Sequence, residues 1–348
     1  MKEISDAHPA SVAATSDGRT GLVNPGMPEG RFLDGIRVID LTYYLPGPHA
    51  AWRLTEMGAD TVKVEPPGGE PSRKLGGGVV HEANNGGKKI VELNLKAAEG
   101  CAALQDLVRE ADVLIESFRP GTLERLGFGE AELARLNPGL IYCSMTGYGQ
   151  AGPFARAGSH DLNYLALSGV LSQLADENGR PVHPLNTIAD YAGGLSVSEG
   201  VCAALVRKMQ TGRGARLDVS ITDVLAGWQG VHLAYRAAGL SDRGIPGIDG
   251  SLARYSIYET SDGRHVVLAA LEEKFWHAFC DYAGHPEWKG GDERCGGPVH
   301  MEVADHFRSR PHEHWLNVSL ETDFCLTPVL RPGELDNHPH WRGRTPLA

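Results

Sequence analysis

Long apolar runs are missing from this sequence: nowhere in its 348 residues do hydrophobic positions extend over the roughly 18 that a membrane-spanning helix requires. No membrane partner is expected. Positive charge is in deficit, with 33 Lys and Arg against 44 Asp and Glu and a net charge of −11, so no broad basic face exists to neutralise a nucleic-acid backbone or an anionic lipid surface. Nucleic acid is therefore also not expected. Cysteine is sparse, six residues without C-x-x-C spacing, and such residues in a chain of this length are expected to be reduced core positions of a cytoplasmic protein. The stretch 1–30 lacks an apolar h-region and reads as a flexible arm over 1–31, neither signal nor transit peptide.

Several catalytic signatures are absent too. After the first strand the chain reads Thr42-Tyr43-Tyr44-Leu45-Pro46-Gly47-Pro48, with prolines where a dinucleotide fingerprint needs glycines. Asn84-Asn85-Gly86-Gly87-Lys88-Lys89 lacks the Ser or Thr that follows the lysine of a phosphate-binding loop. There is no G-x-S-x-G elbow and no H-E-x-x-H, which removes the usual marks of serine hydrolases and zincins. His312-Glu313-His314 and His338-Pro339-His340 have no matched third ligand; they read as surface polar residues, and no metal is expected.

What is present is an alternation of short apolar strands and amphipathic helices. Strands are expected at 36–41, 61–64, 90–93, 113–115 and 141–145, with helices at 49–57, 96–110 and 130–136 between them. Strands separated by helices pair in parallel through right-handed crossovers, so the predicted fold is α/β: a doubly wound, Rossmann-like parallel sheet. Ligands of such sheets sit outside the carboxyl ends of the strands. Here those ends are the loops 43–48, 66–78, 117–121 and 146–152. Beyond 152 an apolar helix is expected at 162–174, a turn at Asn178-Gly179 and a helix at 195–210. The domain reading is a large domain over 32–222, a linker over 223–252, a smaller α+β domain over 253–330 and a C-terminal return segment over 331–348.

One region is dense in titratable groups beside glycines: Ser159-His160-Asp161-Leu162-Asn163-Tyr164 and Leu185-Asn186-Thr187-Ile188-Ala189-Asp190-Tyr191-Ala192-Gly193-Gly194. His160 and Asp190 both fall at helix starts. A helix N-terminus favours negative charge, so Asp190 is expected as a carboxylate, and it supplies N–H donors for a developing oxyanion.

These segments, with Gly35-Ile36-Arg37-Val38-Ile39-Asp40-Leu41, Gly58-Ala59-Asp60-Thr61-Val62-Lys63-Val64-Glu65-Pro66-Pro67, Ala111-Asp112-Val113-Leu114-Ile115-Glu116-Ser117-Phe118-Arg119-Pro120-Gly121 and Thr211-Gly212-Arg213-Gly214, make the chain resemble the class III coenzyme A transferase family. That family also contains the α-methylacyl-CoA racemases. The His-Asp-x-Asn-Tyr and Leu-Asn-x-x-Ala-Asp-x-x-Gly-Gly patterns resemble the racemase branch. The resemblance implies that His160 and Asp190 exchange protons on opposite faces of the α-carbon of a 2-methylacyl-CoA, and that Glu272 partners the histidine. It also implies an interlocked homodimer.

Coenzyme A would enter as part of the substrate, with no prosthetic group. An acidic protein must concentrate positive charge at a coenzyme A site, and Lys63, Lys88, Lys89, Arg119 and Arg125 are expected in or beside the loops at the sheet's carboxyl edge; by the same resemblance Lys88 and Arg125 match coenzyme-binding positions, and Tyr43, Tyr44 and Leu45 cover the pantetheine. Ala253-Arg254-Tyr255 stands where relatives have a small apolar run, which would put a cation near the acyl tail.

Two other readings stay open. The transferase branch carries its nucleophilic aspartate in an Asp-Gly-Pro-Pro turn, which here reads Asn178-Gly179-Arg180-Pro181; Asp176 or Glu177 would have to take its place. Ser159 for a glycine and Pro66 for an arginine would also suit a non-catalytic acyl-CoA-binding homologue.

Overall fold

Burial on both faces builds the sheet, and all four residues of Val113–Glu116 are buried. In a computed structural model, which describes residues 31–176, 178–241 and 244–341, six strands run β1 (Arg37–Leu41), β2 (Asp60–Glu65), β3 (Lys89–Glu92), β4 (Val113–Glu116), β5 (Ile141–Thr146) and β6 (Ala215–Ser220). Their order across the sheet is β3-β2-β1-β4-β5-β6 and every neighbouring pair is parallel. Val38, Val113, Ile115, Ile141, Cys143 and Met145 supply one core, while Ile39, Leu41, Val64 and Leu114 supply the other. β1 and β4 thus feed both faces, as the pleat requires.

Helices close both cores. On the first face lie α1 (Pro46–Glu56) and, far along the chain, a long helix over 188–211; α2 (Val79–Asn85) packs beside α1, with Asn84 Oδ1 3.3 Å from His49 Nδ1. On the second face α3 (Ala98–Glu110), α4 (Thr122–Arg125) and α5 (Glu130–Leu136) contribute Leu104, Leu123 and Leu133 to the core. After β5 come α6 (Asp161–Leu167), the long α7 (Ile188–Thr211) and α8 (Ile221–Gly227). Pro46 opens α1 three residues earlier than the apolar periodicity suggests, since a first-turn proline has no N–H to leave unpaired.

Three expectations change. The helix expected at 162–174 stops at Leu167, because Gly169 takes a φ of 84° and turns the chain out of the helix. The helix expected to start at 195 starts at Ile188, with Gly193 and Gly194 inside it. A Cβ on Gly194 would lie 2.8 Å from the Pro46 carbonyl oxygen, so these glycines are there for close packing of α7 on α1 and do not end the helix. The sixth strand escaped the sequence reading, since Arg216 and Asp218 interrupt its apolar pattern.

The chain divides into two compact units, with the break after Gln229. This lies seven residues beyond the boundary read from the sequence. The stretch 223–252 also contains ordered structure, the end of α8 and then α9 (Gly230–Ala237), which belongs to the second unit. That unit carries the three-stranded antiparallel sheet of β7 (Tyr255–Glu259), β8 (His265–Ala269) and β9 (Leu326–Pro328), in order β7-β8-β9. Between β8 and β9 run α10 (Glu273–Ala283), α11 (Pro298–Arg308) and α12 (His312–Glu321). Their Trp276, Phe279, Phe307 and Trp315 form its aromatic core. Residues 331–338 stay with this unit, where Arg264 forms a two-pronged ion pair with Glu334.

The cysteines are unpaired; Cys143 and Cys280 are buried as expected, but Cys295 is exposed. His312, read as a surface residue, is buried on α12. Among the described residues no helix is long and apolar enough to cross a membrane.

Candidate active site

Strand order reverses between β1 and β4, and the loops leaving those strands part there. The resulting crevice is the place where an open α/β sheet receives its ligand. A cavity of about 380 Å³ occupies it, walled by Tyr43, Tyr44 and Pro46 after β1, by Ser117 to Pro120 after β4, and by Thr146 to Tyr148 after β5. His160 and Asp190 both line this cavity. Of the four loops expected at the site, 66–78 lies apart from it. Its Pro66 and Pro67 instead line a neighbouring cavity of about 240 Å³ that shares Tyr43 and Phe118 with the first.

His160 caps α6. Its backbone is extended, its N–H donates to Asn163 Oδ1 at 3.0 Å, and its carbonyl accepts the Asn163 N–H at 2.9 Å. The reciprocal pair holds the backbone while leaving the imidazole exposed, edge-on to Tyr44 with ring centres 6.5 Å apart. Asp190 sits in the first turn of α7, two residues inside the helix. Its N–H donates to Asp161 Oδ1 at 2.9 Å. Burial, then the Asp161 carboxylate, push the Asp190 pKa up to about 7. The helix N-terminus was expected to favour Asp190 as a carboxylate; desolvation outweighs it, because removing a carboxylate from water disfavours the charged form more than a helix end stabilises it.

Hydroxyls complete the wall. Ser159 Oγ donates to Tyr164 Oη at 3.1 Å, and Thr146 Oγ1 is buried with no hydrogen-bond partner among the described residues. The sequence reading placed Thr146 in one of the four site loops without singling it out, since nothing in Cys143-Ser144-Met145-Thr146 marks which hydroxyl is left unpaired.

The loop over 43–45 is held from beneath. The Tyr43 N–H donates to Ser117 Oγ and the Tyr44 N–H to Glu70 Oε2, each at 3.1 Å, with Tyr44 at a φ of 68°. Leu45 is the residue before α1 and does not line the cavity. Glu70 is buried 3.8 Å from Lys63 Nζ, and Lys63 donates to the Thr42 carbonyl.

The expected cations separate into two groups. Arg119 lines the larger cavity, and Arg125 is exposed beside the smaller one, its Nη2 donating at 3.0 Å to Thr122, which lines that cavity. Lys88 and Lys89 lie elsewhere. Lys88 Nζ is buried on Asp40 Oδ2 at 2.9 Å, the Pro48 carbonyl at 2.8 Å and Asn85 Oδ1 at 2.8 Å. Lys89 opens β3 at the amino edge of the sheet, paired with Asp60 Oδ1 at 2.8 Å. Neither lysine lines either cavity.

Asp176 does not line the cavity either. Its Oδ1 accepts the N–H groups of Asn178 at 2.9 Å and Arg180 at 2.8 Å, which closes the turn. Glu177 lies outside the described residues. In the second unit, Glu272 precedes α10 as its N-cap. Arg254, expected as a free cation for the acyl tail, is paired there with Glu293, Nε to Oε2 at 2.5 Å, over the Trp276 ring.

The model of CoA-transferase family III matches residues 33–347. An alpha-methylacyl-CoA racemase of Homo sapiens is 35% identical over 324 residues, 90% of this chain and 81% of that protein. An acetyl-CoA:oxalate CoA-transferase of Acetobacter aceti is 34% identical over 339 residues, 93% and 87% of the two chains. Among solved structures, a CAIB/BAIF family protein from Brucella suis superposes with a TM-score of 0.80 at 25% identity, over 90% of this chain and 87% of that one. Rv3272 from M. tuberculosis does so with 0.77 at 28%, over 92% and 87%. This chain belongs to CoA-transferase family III.

Proposed function

We propose that the protein interconverts the epimers of 2-methyl-branched acyl-CoA thioesters by taking a proton from one face of the α-carbon and delivering another to the opposite face. The supporting observation is that His160 and Asp190 line one cavity at the switch point, with the Asp190 pKa at about 7. Near neutral pH such a carboxyl is present in both forms, as a group that must accept a proton in one direction and donate it in the other should be.

One residue removes the α-proton from its face. The electron pair moves into the thioester carbonyl, forming an enolate, and the second residue protonates the opposite face. Each turnover leaves the two groups with their protons exchanged, and the reverse passage or solvent resets them. The enolate oxygen needs donors, and one well-placed donor is typically worth about 3–4 kcal/mol. The unpaired Thr146 hydroxyl is available for this. The coenzyme would lie along the loop over 43–45, with Arg119 and Arg125 as its cations. Glu272 enters as partner of His160 by family resemblance, and an interlocked homodimer is the assembly we propose on the same ground.

A CoA transferase is the second reading, favoured by relatives of that name at similar identity. Such a reaction needs a carboxylate nucleophile at the thioester, and Asp176 is engaged in its own turn. In D2O a single epimer of a 2-methylacyl-CoA should gain deuterium at the α-carbon as its stereochemical purity is lost. No incorporation across a range of acyl chains, together with an acyl-enzyme trapped by hydroxylamine, would replace the racemase reading with the transferase one.

A further inference from the structure

We propose that Asp161 is a positioning residue, a clasp that joins the first turn of α7 to the start of α6 and so fixes Asp190 relative to His160. The proposal rests on the two-base reading above and extends it to a residue that need not touch the substrate.

The first-turn N–H groups of a helix have no partner within the helix, and the residue before the helix usually accepts one through its side chain. Thr187 stands in that position before α7 and makes no such bond. The Asp190 N–H is taken instead by Asp161 Oδ1, 29 positions away in sequence, at 2.9 Å. Asp161 directly follows His160, whose backbone is held by Asn163. One hydrogen bond therefore spans two helix starts that each carry one of the proposed bases.

The segment that leads into α7 adds little support to its first turn. Its residues 178–187 are largely exposed, Leu185 completely so at 102%. The clasp also brings a second carboxylate up to Asp190, and like charges at close range disfavour double ionisation. The other titratable or charged groups around Asp190 are Tyr164 from α6, Tyr191 beside it on α7, His49 from α1 packed on Tyr191, and His160, Arg119 and Tyr148 around the cavity.

Two variants of the full-length protein separate the parts of this role. Asp161→Asn keeps an acceptor oxygen but removes the charge; the Asp190 titration, read by infrared difference spectroscopy and in the pH dependence of α-deuterium exchange, should move down by about one unit. Asp161→Ala removes both. Its kcat for exchange should fall about tenfold to a hundredfold with KM nearly unchanged, since small misplacements of a reacting group are costly, and the amide of Asp190 should exchange faster with solvent.

The clasp is overturned if Asp161→Ala keeps wild-type kcat, pH profile and amide protection, or if Asp161→Asn leaves the Asp190 titration in place. Should the wild-type protein exchange no α-proton at all, the racemase reading fails. The infrared titration and amide protection of Asp190, which need no turnover, still decide the clasp.

Discussion

Lys88 Nζ lies 2.9 Å from Asp40 Oδ2, and neither side chain reaches solvent. Burial lowers the Lys88 pKa to about 8 despite this partner. Asp40 also faces Lys63 at 3.7 Å, so the carboxyl end of β1 carries an internal ion cluster directly below the 43–45 loop. Removing one member leaves an uncompensated buried charge, which typically costs about 3–5 kcal/mol.

Lys88→Ala should therefore lower the urea midpoint sharply, by about 3–5 kcal/mol in unfolding free energy. Lys89→Ala, on an exposed pair, should change it by less than about 1 kcal/mol. A Lys88→Ala protein of wild-type stability that had lost CoA affinity would instead return Lys88 to the role expected from family resemblance.

Asp190 predicts a pH-dependent stability difference. Its folded pKa of about 7 stands above the usual carboxylate value of about 3.9, so between those pH values the folded state holds more protons than the unfolded one. Stability therefore falls as pH rises through that window, and the penalty is complete above it. Asp190→Asn should gain little at pH 4 and a few kcal/mol at pH 8, while losing α-proton exchange. Thermal melts at the two pH values check the sign.

Two glycines of α7 should respond in opposite ways to alanine. At Gly194 a Cβ would lie 2.8 Å from the Pro46 carbonyl oxygen and 3.2 Å from His49 Cδ2, while at Gly200 the nearest atom, Leu217 Cδ1, would be 3.6 Å away. Gly194→Ala should destabilise by about 1–3 kcal/mol and impair exchange by shifting Asp190. Gly200→Ala should stabilise by about 0.5–1 kcal/mol. Equal effects in denaturant titrations would remove close packing as the reason for Gly194.

Thr146→Val should separate activity from stability. The buried hydroxyl has no hydrogen-bond partner among the described residues, so losing it should leave stability within about 1 kcal/mol or raise it. If the hydroxyl serves the enolate, kcat should fall by about two orders of magnitude. Unchanged kcat would assign that donor elsewhere.

The sheet was legible because β1, β2, β4 and β5 are apolar segments flanked by clear turn residues, and topology then placed the site at their carboxyl ends. Strand β6 was hidden by Arg216 and Asp218, whose charges break the pattern without breaking the ladder. Lys88 and Lys89 are adjacent identical letters, yet one is buried on Asp40 and the other exposed on Asp60. Only the three-dimensional partner distinguishes them. The environment of Asp190 was misjudged for a related reason: helix position can be read locally, whereas the burial and the Asp161 carboxylate that raise its pKa come from distant residues.

Both bases of the proposed reaction come from one contiguous span, and between them, outside the six-stranded sheet, Ala175 bridges to Pro181 ahead of the exposed Val182 and Leu185. Insertions or deletions in that stretch can alter the surface beside the two bases while the clasp and the six-stranded platform stay intact. Within such a fold, catalytic repertoire can diversify by editing a surface excursion, leaving the coenzyme's cradle as common inheritance.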